Sequence, residues 1–255
     1  MKIMYLRHSP RGNQEARTEE DVLRKARAYV SPDTELEMHY PDDFHGSTIK
    51  GAMSSQGILN GLYHHLEAPS LVRKAVEAER TGFDAVVQGN GFDPAIEASR
   101  LAVRIPVIGA LKTSLHVAST LADRIGITVP FQGHVPVVRK KVAEYGFADK
   151  VVDIRPMGVY TGHSPAEVLE AVVLQAKDLV AQGSELLLPL GGALIPAQVP
   201  TETISERVGI PVLDTLGTAL RYAEFCVHLG LTHSPIAYPH ADLTPEDYAG
   251  MVSQR

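Results

Sequence analysis

An internal repeat limits the possible folds of this chain more than any other pattern in it. Residues 105–118 (Ile-Pro-Val-Ile-Gly-Ala-Leu-Lys-Thr-Ser-Leu-His-Val-Ala) match residues 210–223 (Ile-Pro-Val-Leu-Asp-Thr-Leu-Gly-Thr-Ala-Leu-Arg-Tyr-Ala) at an offset of 105 (210 − 105). Each copy is typical of a short strand that runs into a helix, and each follows a strand that ends in a turn of small residues, at 86–91 and 187–192. The repeat predicts two similar α/β halves with a cleft between them. The alternative is a chance likeness of two ordinary strand–helix units.

Apolar runs of strand length alternate with longer segments of helical period along the whole chain. This alternation predicts an α/β fold of two pseudo-symmetric lobes, each a parallel sheet flanked by helices, with the active site in the cleft between the lobes. The predicted strands are 2–7, 35–39, 85–88, 107–108, 126–130, 151–156, 185–189 and 211–213. The predicted helices are 14–29, 56–67, 70–81, 94–103, 112–124, 135–145, 165–182, 201–208 and 218–229.

Boundary residues support several of these helices. Ser70 and Ser164 are predicted N-caps, and Gly82, Gly146 and Gly183 fall just past predicted helix ends. The predicted division into lobes assigns residues 1–113 and 218–255 to the first lobe, to which the last helix returns. Residues 114–217 form the second lobe.

Composition excludes several classes of protein. The 255 residues carry a formal net charge of −6 and no long basic run, so we predict no nucleic-acid partner. No stretch approaches the roughly 18 to 20 apolar residues of a membrane span, and the first residues do not resemble a signal peptide. The single cysteine, Cys226, cannot form an internal disulfide. These features predict a cytoplasmic protein with a small-molecule substrate.

No cofactor or metal is predicted either. The segment Gly89-Asn90-Gly91 lacks the third glycine of a dinucleotide fingerprint, and the chain has no phosphate-loop lysine motif. The histidines His39, His45, His64 and His65 do not form a zinc-binding motif, so surface or core roles explain them more simply.

Ligands of open parallel sheets bind beyond the carboxyl ends of the strands. The residues at these ends are therefore expected to bind substrate; they are Ser9, Ser47, Gly91, Phe92, Gln132, Gly133, Leu190, Gly191 and Gly192. Glycine N–H groups near helix N-termini suit a carboxylate or a cyclic imide. His8 and His134 stand at two such ends and are candidate acid or base residues, although a loop histidine bonded to a neighbour is an equal alternative. Cys226 lies inside the last helix and is predicted to be a buried structural thiol.

The first half contains two segments that resemble the aspartate/glutamate/hydantoin racemase superfamily. Residues 46–51 (Gly-Ser-Thr-Ile-Lys-Gly) are similar to the Gly-Pro-x-Ser-Ile-Glu-Gly segment of hydantoin and allantoin racemases. Residues 82–87 and 92–98 resemble the stretch that carries the family's first catalytic cysteine, and Asn90 stands at the cysteine position.

The second half continues the resemblance. Residues 187–192 are similar to the family's second catalytic strand, and most of all to the Ser-Cys-Gly-Gly turn of arylmalonate decarboxylases. Leu190 stands at the cysteine position of that turn, and residues 209–214 are also typical of the family. The resemblance implies two lobes with the substrate between two thiols, one that removes the proton beside a carbonyl and one that returns it.

The two replacements change the expected chemistry. Asn90 can donate a hydrogen bond to a carbonyl or oxyanion, whereas Leu190 supplies only an apolar wall. Acid–base chemistry must then come from another strand end, with His8 and His134 as the leading candidates and His163 as a third.

We predict a cofactor-independent isomerase that moves the proton beside a carbonyl of a small carboxylate, hydantoin or cyclic amide without two thiols. The alternatives are a decarboxylase of the arylmalonate type, a cyclic-amide hydrolase, and a ligand-binding protein that has kept the cleft and lost the reaction. The resemblance also implies a homo-oligomer.

Overall fold

The computed structural model describes residues 1–7, 16–41, 60–159, 163–191 and 195–241. Its strands are β1 (Lys2–Leu6), β2 (Glu35–His39), β3 (Ala85–Gln88), β4 (Val107–Gly109), β5 (Ile125–Val129), β6 (Val151–Pro156) and β7 (Leu186–Pro189). Its helices are α1 (Ala16–Tyr29), α2 (Asn60–Arg80), α3 (Ile96–Ala102), α4 (Ala110–Leu121), α5 (His134–Glu144), α6 (Pro165–Ala181), α7 (Thr201–Val208) and α8 (Thr215–His228). None of these helices is both long and apolar enough to cross a membrane.

The strands form two parallel sheets with the same order. The first sheet runs β2-β1-β3-β4 and the second runs β6-β5-β7. The second sheet has no full strand in the position equivalent to β4 among the described residues. A single parallel bridge between Leu187 and Val212 occupies that position. The prediction of a strand at 211–213 is therefore wrong, because the chain turns into α8 at Asp214 after two hydrogen bonds to Leu187. The predicted α/β class, with parallel sheets flanked by helices, is confirmed.

Helices cover both faces of each sheet. Successive strand residues point to opposite faces, so Ile3 packs in a core with α1 and α8 whereas Met4 packs in a core with α2 and α3. In the second sheet, Leu188 packs with α4 and α5, and Leu187 packs with α6 and α7. All four side chains are fully buried. Truncation of a buried side chain of this kind to alanine lowers the free energy of unfolding by about 2–5 kcal/mol, so this packing contributes strongly to the stability of each sheet.

The two helices of the internal repeat cross between the sheets. Helix α4 follows β4 of the first sheet, but Leu111 and Leu115 of α4 pack in the core of the second sheet. Helix α8 follows the second repeat copy, yet Leu216 and Leu220 pack on the first sheet. The two helices also contact each other. These two helices therefore connect the sheets near the strand ends. The division into lobes at residues 113 and 217 stays a prediction.

The segment around Ser70 departs from the prediction. Two helices, 56–67 and 70–81, were expected with Ser70 as an N-cap, but α2 continues through Pro69 and Ser70 without a break. Ser70 is fully buried inside the helix. A proline in a helix interior removes one backbone hydrogen bond, which lowers the local preference for a helix. Here Leu71 and Ala75 on the buried face of α2 pack against the first sheet, and this packing outweighs the local preference.

The other predicted boundary signals are present. The Ser164 hydroxyl accepts a hydrogen bond from the Glu167 N–H at 3.3 Å, and the Glu167 carboxylate accepts one from the Ser164 N–H at 2.7 Å. This capping box starts α6 as predicted. Gly82, Gly146 and Gly183 have φ angles of 81°, 82° and 95°, in the left-handed region that favours glycine after a helix.

Candidate active site

The turns that follow β3 and β7 meet between the two sheets. A Cβ placed on Gly91 would lie 3.2 Å from Leu190 Cδ2. Both residues line one depression, together with Gly191 and with Ala110 and Thr215 of the two repeat copies. Because equivalent positions of the two halves line the same depression, it is the candidate active site.

The second half contributes an apolar wall to this site. Leu190 is only 2% exposed and packs in the core of the second sheet, with Phe92 against the same core. Its backbone N–H donates to Thr128 O at 2.8 Å, which fixes the turn beside β5. A Cβ on the next residue, Gly191, would lie 2.5 Å from Ile195 Cδ1. Position 191 therefore favours glycine, and the described residues on this side of the site offer no acid, base or thiol.

The first half contributes a polar turn around Asn90. Asn90 is 3% exposed, and its side-chain oxygen accepts a hydrogen bond from the Phe92 N–H at 2.9 Å. Its neighbours Gly89 and Gly91 line the depression, whereas Asn90 itself does not. The side-chain oxygen thus closes the turn, so the Asn90 amide N–H group is the part that can donate to a ligand.

Two lining residues were not predicted from the sequence. Tyr5 of β1 and Gln88 of β3 both border the depression. Burial raises the pKa of the Tyr5 hydroxyl, and the positive charge of Arg7 opposes this shift, so the hydroxyl stays protonated and can donate. The Gln88 side-chain nitrogen donates to Ser99 Oγ at 3.4 Å, while its oxygen has no hydrogen-bond partner among the described residues. Tyr5 and Gln88 are polar positions within otherwise apolar strands, which is the sequence signal that could have identified them.

His134 is buried and neutral. It is 4% exposed and is the first residue of α5. Its Nδ1 accepts a hydrogen bond from the Phe131 N–H at 3.1 Å, which assigns the proton of the neutral ring to Nε2. Burial lowers the pKa of His134 to about 4. At neutral pH the ring is therefore a hydrogen-bond donor through Nε2 and a weak general base.

Several predicted site residues cluster around His134 rather than in the depression. The Phe92 ring stacks on the imidazole with centroids 4.7 Å apart, so His134 lies one ring away from the Asn90 turn. Gln132 and Gly133 form the turn before α5 and do not line the depression. His163 is exposed beside the α6 cap, where it interacts electrostatically with Glu167.

The remaining predicted site residues are His8, Ser9, Ser47 and Gly192, which lie outside the described residues. The roles predicted for them stay predictions. Of the predicted set, the structure brings together Gly91, Leu190 and Gly191 in the depression, with Asn90 behind them.

Two Asp–Tyr pairs hold the starts of the repeat helices. The Asp93 carboxylate accepts hydrogen bonds from the N–H groups of Leu111 at 2.9 Å and Lys112 at 2.8 Å, and from the Tyr145 hydroxyl at 3.1 Å. Burial raises the pKa of Asp93, and these three donors oppose the shift. Asp93 follows the Asn90 turn directly, so it fixes this turn to α4 and, through Tyr145, to the end of α5.

The second half has the corresponding arrangement. Asp214 accepts a hydrogen bond from the Gly217 N–H at 2.9 Å at the start of α8, and another from the hydroxyl of Tyr29 at the end of α1. Helices α1 and α5 follow the equivalent strands β1 and β5, so Tyr29 and Tyr145 stand at the ends of equivalent helices. The carboxylates differ in origin, because Asp214 lies within the second repeat copy and Asp93 precedes the first. The pairs tie each repeat helix to the half that it enters.

Comparison with known proteins agrees with this architecture. The family model of the Asp/Glu/Hydantoin racemases matches residues 20–223. The hydantoin racemase of Pseudomonas sp. (strain NS671) is 27% identical over 169 residues, which are 65% of this chain and 67% of that protein.

Solved structures have the same fold. The allantoin racemase from Pseudomonas fluorescens superposes with a TM-score of 0.81 at 24% identity, over 96% of this chain and 98% of that one. An arylmalonate decarboxylase superposes with a TM-score of 0.59 at 15% identity, over 93% of this chain and 97% of that one. At these identities the likeness concerns the fold alone.

Proposed function

Since this chain belongs to the Asp/Glu/hydantoin racemase family, we propose that it moves the proton beside a carbonyl of a small carboxylate, hydantoin or related cyclic amide without a cofactor. The chain is an enzyme of the racemase superfamily. In the proposed reaction, a base removes the proton from the carbon next to the carbonyl. The electron pair of the broken C–H bond moves into an enolate, and a proton then returns to the same carbon.

The observation that carries the proposal is the meeting of the two strand-end turns. The turns that contain Gly91 and Leu190 follow strands of different sheets, and a Cβ placed on Gly91 would lie 3.2 Å from Leu190 Cδ2. A substrate held there has one half on each side, which is the arrangement that proton transfer at a single carbon requires. Hydantoin racemases and an allantoin racemase are among the relatives, which supports a hydantoin or a related ureido compound as substrate.

The described residues favour donors over bases at this site. The Tyr5 hydroxyl borders the depression and can donate a hydrogen bond to the enolate oxygen, and the Asn90 amide in the adjoining turn is a second candidate donor. Because burial lowers the pKa of His134 to about 4 and the Phe92 ring stacks on its imidazole outside the depression, we assign the base role to His8 instead.

Deuterium exchange tests the proposal directly. An enantiopure 5-substituted hydantoin, allantoin, and L-aspartate are each incubated with the enzyme in deuterated water, with enzyme-free samples as controls because hydantoins exchange spontaneously. We expect deuterium at the carbon beside the carbonyl of at least one substrate faster than in its control. Loss of optical rotation at the same rate indicates protonation of both faces, and slower loss indicates protonation of one face. Exchange at the control rate for all three, even with thermal stabilisation by one of them, would refute the proposal in favour of a binding protein.

A gain-of-function variant tests the assignment of the two turns. The double variant N90C/L190C places thiols at the two positions that resemble the family's cysteines. We expect faster racemisation of the same substrates than with the native chain. The matched control is N90S/L190A, which changes both side chains without adding a thiol. Equal rates for both double variants would contradict the placement of substrate between these turns.

Decarboxylation is the second candidate, because Leu190 makes one wall of the site apolar. An apolar wall disfavours a substrate carboxylate, and loss of carbon dioxide breaks the C–C bond and leaves the same enolate. The fold likeness to an arylmalonate decarboxylase is compatible with this reaction. Carbon dioxide release from phenylmalonate would support the lyase, and exchange without release would support the isomerase.

A further inference from the structure

A second cavity lies apart from the candidate active site. It has a volume of about 400 Å³, within the usual range of small-molecule pockets, about 300–1,000 Å³. Its walls come from α3, β4, the outer parts of α4 and α8, and residues 231–238. None of its described lining residues also lines the depression between Gly91 and Leu190.

A buried arginine stands in the wall of this cavity. Arg100 is 8% exposed; its Nε and one terminal nitrogen donate to Val107 O, each at 3.1 Å. The other terminal nitrogen donates to the Tyr238 hydroxyl at 3.2 Å. These partners are neutral oxygens. The Asp93 carboxylate interacts with Arg100 through its charge, but no ion pair joins Arg100 to a carboxylate among the described residues. A guanidinium has five N–H groups, so this fixed cation keeps donors for an anion.

The rest of the cavity favours the same kind of ligand. Lys112 adds a second positive charge; its ammonium lies over the Tyr145 ring at 5.2 Å from the centroid and interacts through its charge with His233 of the cavity. The described lining contains no Asp or Glu. His233 accepts a hydrogen bond from the Val107 N–H at 2.7 Å through Nε2, and burial lowers the pKa of this ring to about 4. His233 is therefore neutral and cannot supply a counter-charge. Asp93 does not line the cavity, so the described lining carries positive charge although the whole chain has a formal net charge of −6.

Apolar and aromatic groups form the remaining walls. Ile108, Val117 and Leu231 supply apolar contacts, and the rings of Tyr222 and Tyr238 border the same space. We propose that this cavity binds a small monocarboxylate with a flat ring, with its carboxylate on Arg100 beside Lys112 and its ring against the tyrosines. A bidentate contact between guanidinium and carboxylate compensates the buried charge, and stacking on the rings selects against inorganic anions.

The chain contains its own reporter for this site. Cys226 is its single cysteine, lines the cavity and is 7% exposed. Its modification by methyl methanethiosulfonate is followed by mass spectrometry at mildly alkaline pH, because burial raises the pKa of the thiol. We expect benzoate to slow the modification saturably, by about tenfold at ten times its dissociation constant. Benzamide has the same ring without the charge and should not protect.

A matched pair of lysine variants tests whether the positive charge that lines the cavity contributes to benzoate binding. Lys112→Gln removes a lining cation without changing a described hydrogen bond of its side chain, and should raise the benzoate dissociation constant about threefold to tenfold. Lys177→Gln removes an exposed cation on α6, away from the cavity, and should leave the benzoate dissociation constant unchanged. Equal protection by benzamide or by sulfate, no protection by benzoate, or an equal effect of both variants would overturn the proposal. If the Arg100→Lys variant folds, it should weaken benzoate binding further, because lysine cannot make the bidentate contact of a guanidinium.

Discussion

Acidification from pH 7 to pH 5 is expected to destabilise the fold through His134. Burial lowers the pKa of this ring from 6.5 to about 4 in the folded chain. The unfolded chain takes up the proton near pH 6.5, so this stabilisation is complete above that pH and is lost as the pH falls toward 4. The difference of about 2.5 units (6.5 − 4) corresponds to about 3.4 kcal/mol when it is fully lost. At pH 5 the loss is about 2 kcal/mol.

The assay compares the native chain with His134→Asn in urea unfolding at pH 7 and pH 5. The asparagine oxygen can accept the Phe131 N–H in place of Nδ1, so the turn before α5 is retained. We expect the advantage of the native chain in free energy of unfolding to shrink by about 2 kcal/mol between these pH values. His233→Gln is a parallel case, because burial also lowers the pKa of His233 to about 4 and its Nε2 accepts the Val107 N–H.

A direct titration measures the pKa of His134 without reference to the stability of the fold. The ring-proton NMR signal of His134 should stay at its neutral position throughout the range from pH 8 to pH 5. A midpoint near 6.5 would refute the reasoning, because the ring would then be accessible to water and able to act as a general base. The same result would return His134 to the base role that we assign to His8.

Three further changes test the packing around the site. Tyr145→Phe removes the hydroxyl that donates to Asp93 and should lower the free energy of unfolding by about 1–3 kcal/mol in urea titrations. Gly91→Ala places a Cβ 3.2 Å from Leu190 Cδ2, so we expect slower turnover with less than about 1 kcal/mol of destabilisation, and unchanged turnover would argue against a substrate at this contact. Ser164→Ala removes the capping hydroxyl of α6 and should cost about 1 kcal/mol by thermal unfolding, with no effect on turnover.

Much of the fold could be predicted because its signals are local. The strands at 35–39, 85–88 and 151–156 and the helix at 201–208 have the predicted bounds, since apolar period and flanking turn residues mark them in the sequence. The repeat predicted two related halves, and the strand order of the two sheets agrees with it. The Ser70 region could not be predicted in this way, because the packing of α2 on the sheet outweighs the local effect of Pro69.

The candidate site was predictable only in part. Turns at strand ends identified Gly91 and Leu190, because parallel strands all end at one edge of a sheet. The continuous apolar run of β1 indicates a strand that is buried on both faces, but it does not show that Tyr5 borders a cavity. Asp93 and Tyr145 lie 52 positions apart, and their contact depends on how two helix ends converge. Such long-range contacts leave no periodic signal in a single sequence.

The two halves are alike in backbone and unlike in chemistry. At the starts of the repeat helices, Asp93 and Asp214 make the same kind of contact in each half. At the strand-end turns the halves differ, because the first offers the Asn90 amide and the second only the Leu190 side chain. Proton transfer at both faces of a carbon needs an acid or base on each side, and the repeat-related positions supply none. A catalytic base is therefore expected from outside these two turns, and His8, which follows Arg7 in the sequence, is the residue that we propose for this role.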